Sequence, residues 1–291
     1  MANLIPVAIP LAWHHLRLEI PREWEVVGFS RNADDGRLAL ADRDGEALQL
    51  HWKKIPAAPN LDRRLEELAR ANLPPGTDPA AAKLRLEGWH DWRVSLSGNR
   101  NLPFFAARHL AARGILLAAV FPPHPARRED VVRGVLASWT PNDGPTRAWA
   151  TFGLAVTLPS ALDLEVTVSL PAFQRFEFAT PKGDRVIVQR WGMLSALLAD
   201  MDAAAHFARI KGRGTQVWKL PPPLDPSRSA ITELALRRTP MGWWSTPRRM
   251  PKEGRAWLCP RPDLERLYAI EAWTHRDLGL PAWVPDILTP A

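Results

Sequence analysis

The sequence predicts an α+β fold, in which two tandem antiparallel-sheet domains have helices packed on the sheets. Three observations lead there. The 291-residue chain matches itself at a shift of 138 residues. Each copy alternates apolar and polar residues with the period of a half-buried strand. One stretch of helical spacing interrupts the strands in each copy. The order hairpin, helix, antiparallel meander belongs to layered α+β domains and not to alternating parallel α/β ones. A chain of this length also suits two domains of ordinary size.

The repeat is read without a gap from Leu16 and Leu154. Pro21 falls on Pro159, Arg37 on Arg175, Ala41 on Ala179 and Gly45 on Gly183. Leu38 and Leu40 fall on Phe176 and Phe178, and Leu48 and Leu50 on Val186 and Val188, so apolar parity is kept where identity is not. "RLALA" and "RFEFA" are strands, and "DRDGE" and "TPKGD" are the hairpin turns after them, with glycine at the permissive position. A helix follows in each copy. In the first it is "LDRRLEELARANL", with Leu61, Leu65 and Leu68 on one face and Asn60 as N-cap; in the second it is "MLSALLADMDAAAHFARI", stopped at "KGRG". The meander strands are "KLRLEG", "DWRVSLSG", "PFFAARHLA" and "ILLAAVF" in copy one, and "TQVWKL", "ITELALRR", "RAWLCP" and "LYAIEAW" in copy two. A closing helix, "REDVVRGVLASW", ends copy one and has no counterpart in copy two. The expected layout is an extended arm over 1–12, domain 1 over 13–143, domain 2 over 147–275 and an extended tail over 276–291.

The phrase "LEIPREWEV", followed by a hairpin, one helix, a meander and a helix ending "LASW", resembles the PsbP-like fold. That fold is shared by a photosystem II extrinsic protein, a Ran-binding nuclear-import factor and chaperone-like domains for secreted bacterial effectors. The resemblance covers 13–140 and, less closely, 150–275, where "VTLPSALDL" carries no tryptophan after the proline. It implies a binding or assembly role, and the implication is by analogy of fold.

Charge points to domain 2. The chain carries +7, yet Ala203–Pro262 holds twelve basic residues opposed only by Asp225, Glu233 and Glu253, a local +9. Such a block favours an acidic partner, either an acidic protein surface within a larger complex or, as the alternative, the phosphates of nucleic acid. Matching "ILLAAVF" to "LYAIEAW" needs a shift of 152, so copy two has 14 extra residues, assigned to the excursion "MGWWSTPRRMPKEG" within a basic loop over 239–255. Insertions of this kind lie at surfaces, and tryptophan and arginine are the residues most enriched at binding hot spots. The expected partner-binding set is Trp243, Trp244, Arg248, Arg249, Lys252, Arg255, Arg237, Arg238, Lys211 and Arg213.

No catalytic residue, cofactor site or metal site is expected. No nucleophile elbow, phosphate loop or dinucleotide fingerprint occurs. His14 and His15 are adjacent and lack the i, i+4 spacing of a helical metal pair. The lone Cys259 excludes an internal disulfide framework and reads as a buried strand cysteine. No apolar run approaches the ~20 residues that span a bilayer, and "MANLIPVAIPLAW" lacks the basic start of a signal peptide. A non-catalytic cytoplasmic protein is the expectation.

Overall fold

A computed structural model describes residues 8–73, 85–89, 92–96, 102–124, 128–221, 231–239 and 251–274. The chain forms two compact units. Unit 1 is Met1–Asp143 with Ala148–Phe152, and unit 2 is Gly144–Arg147 with Gly153–Pro290.

Unit 1 opens with β1 (Ala8–Trp13) and β2 (Leu16–Pro21), a hairpin in continuous register from Ala8 opposite Pro21 to Trp13 opposite Leu16. Residues 8–12 of the expected N-terminal arm are thus part of a paired strand; residues 1–7 lie outside the described residues. The main sheet is made of β3 (Glu25–Phe29), β4 (Asp35–Asp42), β5 (Gly45–Lys54), β6 (Arg85–Trp89), β7 (Trp92–Leu96), β8 (Phe104–Leu110) and β9 (Ile115–Phe121), in the order β3-β4-β5-β9-β8-β7-β6. Helix α1 (Leu61–Asn72) starts where the Asn60 side chain accepts from the Arg63 amide, and it buries Leu65 and Ala69 against Phe105, Ala107 and Val120. After α2 (Glu129–Ala137) come β10 (Thr140–Pro141) and β11 (Thr146–Thr151), and the strands β10-β2-β1-β11 belong to a further sheet. Buried Asn142 fixes this sheet. Its amide donates to the carbonyls of His14 (2.9 Å) and Ala148 (2.7 Å), and its oxygen accepts from the Ala148 amide.

Unit 2 runs β12 (Leu154–Pro159), β13 (Asp163–Leu170), β14 (Phe173–Ala179), β15 (Arg185–Gly192), α3 (Leu194–Leu197), α4 (Ala203–Lys211), β16 (Thr215–Lys219), β17 (Thr232–Arg238), β18 (Glu253–Arg261) and β19 (Arg266–Trp273). Its sheet order, β13-β14-β15-β19-β18-β17-β16, repeats that of unit 1 strand for strand. The registers agree as well. Leu38 faces Leu50 and Leu40 faces Leu48; 138 residues on, Phe176 faces Val188 and Phe178 faces Val186. All eight side chains are buried. Farther along, Leu50 faces Ala119 while Val188 faces Ile270, so the later strands correspond at a shift of 151, one fewer than the strings of letters suggest.

The expectation of an α+β fold with helices packed on two sheets is corrected. The protein is mostly antiparallel β-sheet, in three sheets, and its helices are short. Two physical facts account for the difference. The proline-bearing N-terminal segment pairs with β2, so part of the cover on the main sheet of unit 1 is itself sheet: the Trp13 indole donates to the Ser30 carbonyl at 3.0 Å, and the His14 ring lies 5.4 Å from Trp52. The helical stretch of copy two also breaks. Leu198 leaves the helical region, and Asp202 caps a new start by accepting from the Ala205 amide at 2.7 Å, leaving helices of four and nine residues.

Candidate interaction surface

The cations of unit 2 are gathered by the end of α4. This helix lies across β16, β17 and β18, anchored by fully buried Phe207, and stops at Gly212, whose φ of +58° a side-chain-bearing residue rarely adopts. The chain then makes one 3-10 turn, Gly212–Gly214, which places Arg213 in solvent. Thr239 binds that turn twice, through its hydroxyl to the Arg213 carbonyl (2.7 Å) and its amide to the Gly214 carbonyl (3.2 Å). Arg238 is the register partner of Thr215, Arg237 is the partner of Gln216, and the Arg238 amide donates to the Lys252 carbonyl at 2.9 Å. Arg213, Arg237, Arg238 and Lys252, far apart in sequence, therefore meet at one corner of the sheet.

The two faces of that corner differ. Arg238 turns toward the helix side, half-buried, with its guanidinium 5.3 Å from the Trp273 ring; burial, then the charge of Arg185, holds its pKa below the ordinary value. Lys211 is also directed inward, and its ammonium donates to the fully buried Glu271 carboxylate. Arg237 and Arg255 are exposed on the other face. Trp218 and Arg255 both sit opposite Ala235, so the three form one row across β16, β17 and β18. Trp218 is 46% exposed, and Arg255 Nη1 donates to Glu233 Oε1 at 3.1 Å. Only the small Ala235 separates an exposed indole from an exposed guanidinium. Trp218 escaped the sequence reading, although its signal was present: in "TQVWKL" the tryptophan has opposite parity to Val217, which packs on the core.

The strand registers also locate the extra residues of copy two. Val94 faces Ala106 in unit 1, and Glu233 faces Trp257 in unit 2, giving shifts of 139 before the β17–β18 connection and 151 after it. The difference, 151 − 139 = 12, falls between those strands. In unit 2 the pairing runs on through Leu236 with Gly254 and Arg237 with Glu253, whereas among the described residues of unit 1 the matching pairs end at Ser95 with Phe105. The β17–β18 connection carries Trp243, Trp244, Arg248 and Arg249, which lie outside the described residues, as does the tail over 276–291.

Other chemistry is sparse among the described residues. No three His, Cys, Asp or Glu side chains are placed to share a metal ion, and no helix is long and apolar enough to cross a membrane. Folding does bring His124 to Asp42, 2.9 Å apart and 82 residues distant in sequence, beside a cleft of about 220 Å³. The described residues lining that cleft include no hydroxyl or thiol that such a pair could activate. Cys259 is buried in β18, and burial pushes its thiol pKa up, which keeps it protonated. No protein-family model matches the chain, and no curated protein matches it.

Proposed function

We propose that the protein is a non-catalytic binding or assembly protein that holds an acidic protein surface through unit 2, as a subunit or accessory factor of a larger complex. One observation carries this reading. Folding assembles Arg213, Arg237 and Arg255 on a solvent-facing corner beside the exposed Trp218. In sequence, the connection between β17 and β18 contributes Trp243, Trp244, Arg248 and Arg249 to the same proposal; these lie outside the described residues. Arginine supplies planar, charge-assisted contacts to carboxylates, and an adjacent indole supplies apolar area at small entropic cost. The equivalence of the two sheets supports a reading of two related halves, of which the second carries most of the excess charge. A cytoplasmic location belongs to the same proposal.

Affinity capture from native cell extract, with and without nuclease, tests it. A partner retained after nuclease treatment is the expected result. Loss of all specific binding on nuclease treatment would transfer the surface to nucleic acid, whose contacts would also weaken steeply with salt.

A further inference from the structure

A second cationic site, separate from that corner, lies at the opposite end of β15 and β19. Arg190 of β15 is only 9% exposed, forms no ion pair or hydrogen bond with any described residue, and has its Nε fully enclosed without an acceptor. Gln174, its register partner on β14, is buried too, and its Oε1 likewise finds no donor. On the other side Arg190 faces Tyr268, and Arg266 stands two residues away on the same strand. Arginine Nη1 atoms of Arg190 and Arg266 each lie 2.7 Å from the point where a Cβ on Gly153 would sit, so they are within twice that distance of each other. Gly153 is exposed and has a φ of +68°, so the pair reaches solvent beneath a residue that keeps its side of the site open. The Tyr268 hydroxyl completes the group, with long contacts to Arg266 (3.5 Å) and to the Gly153 carbonyl (3.3 Å).

The fold does not require this cluster. At the matching positions of unit 1, Trp52 replaces Arg190, Leu117 replaces Tyr268 and Gly36 replaces Gln174, with the same pairings, Gly36 to Trp52 and Trp52 to Leu117. That arrangement is self-sufficient, because the Trp52 indole covers Gly36 and donates to the Asn32 carbonyl at 2.9 Å. Unit 2 has instead two like charges brought together with partial burial. Such an arrangement costs stability unless an anion neutralises it, and burial followed by the nearby Arg266 charge holds the Arg190 pKa below its ordinary value.

We infer that Arg190, Arg266 and Tyr268 form a binding site for a phosphate group, entered past Gly153. Two guanidiniums balance a dianion, whereas one carboxylate would leave a charge over; the fork of donors and the phenol O–H suit a tetrahedral oxyanion. The group can be free phosphate or a phosphomonoester.

The test uses the full chain and thermal unfolding in sodium phosphate against sodium chloride at equal ionic strength, with O-phosphoserine as a second arm. A ligand that binds only the folded state raises the melting temperature. Phosphate also stabilises proteins through general exclusion, so the reading is the wild-type rise minus that of each variant. Arg266→Gln and Gly153→Ala, both at the rim, are expected to remove the specific rise, which corresponds to at least about ten-fold weaker binding. Arg190→Gln is expected to melt above the wild type in chloride, because it deletes a buried, unneutralised charge. A larger response to O-phosphoserine than to phosphate would assign the site to phosphomonoesters, and an equal response to the free ion. No specific rise in the wild type, or an undiminished rise in Arg266→Gln and Gly153→Ala, would overturn the inference.

Discussion

Glu271 shows how far the two units have diverged at single positions. It is 0% exposed and occupies the place of Val120 in unit 1. Its carboxylate is satisfied by the Lys211 ammonium, the Gln189 amide and, at 3.3 Å, the Trp273 indole N–H. A buried carboxylate that loses its cation retains its desolvation penalty, whereas removing both charges together can be neutral or stabilising. Lys211→Ala is therefore expected to cost about 3–5 kcal/mol in urea unfolding, and Lys211→Met with Glu271→Val to cost far less. If the single and double variants lost the same stability, the pair would not be the coupled unit described. Histidines act at this scale too. Burial is the largest influence on both His51 and His206 and lowers both pKa values; nearby Arg37 and Arg209, respectively, add to the effect. The unfolded chain takes up these protons as pH falls below 6.5 while the folded chain resists them, so stability is full above 6.5 and is lost as pH falls toward the depressed folded values. Melting temperature followed from pH 8 to 5 should drop in that window, and His206→Gln should flatten part of the drop. A wild-type profile without any decline there would contradict the assignment.

At the scale of elements, legibility followed local periodicity. The strands β4, β5, β14 and β15 were readable because apolar alternation over five or more residues leaves one choice of face, and their register pairs are those of the 138-residue match. Helix α1 was readable from its cap and spacing. What was not legible depended on partners distant in sequence. Pairing of the proline-bearing segment Ala8–Trp13 with β2, the new start at Asp202, and the single-residue slip that makes the later shift 151 are all set by tertiary contacts. Similarly, Lys211 and Arg213 read alike as neighbouring cations, yet one turns to a buried carboxylate and the other to solvent. The excess between β17 and β18 has no counterpart in unit 1, so the sheet does not depend on all of it. Replacing residues 240–250 by a short glycine–serine turn should change stability by less than about 1 kcal/mol and should abolish partner binding. A loss of about 3 kcal/mol or more, the scale of a deleted buried tryptophan, would make that segment core cover instead.

In the molecule as a whole, one sheet topology is used twice with unlike surfaces. Unit 1 fills the end of its sheet with Trp13, His14, Trp52 and Trp149, whose rings meet edge to face or tilted at 5.2–5.5 Å. Unit 2 holds arginine at the matching place and at the corner near Thr239. We propose that the two copies divide the labour, one serving as scaffold and the other as the charged binding copy. The double variant Arg213→Glu with Arg237→Glu tests it most directly, because both side chains are exposed and neither forms an ion pair within the described residues. The decisive measurement is the affinity of this variant for the captured partner, set beside its melting temperature. The expected result is a melting temperature within the small range of surface substitutions, about ±0.5 kcal/mol in stability, together with binding weakened by about 100-fold or more. Unchanged affinity in a variant that folds normally would contradict the claim.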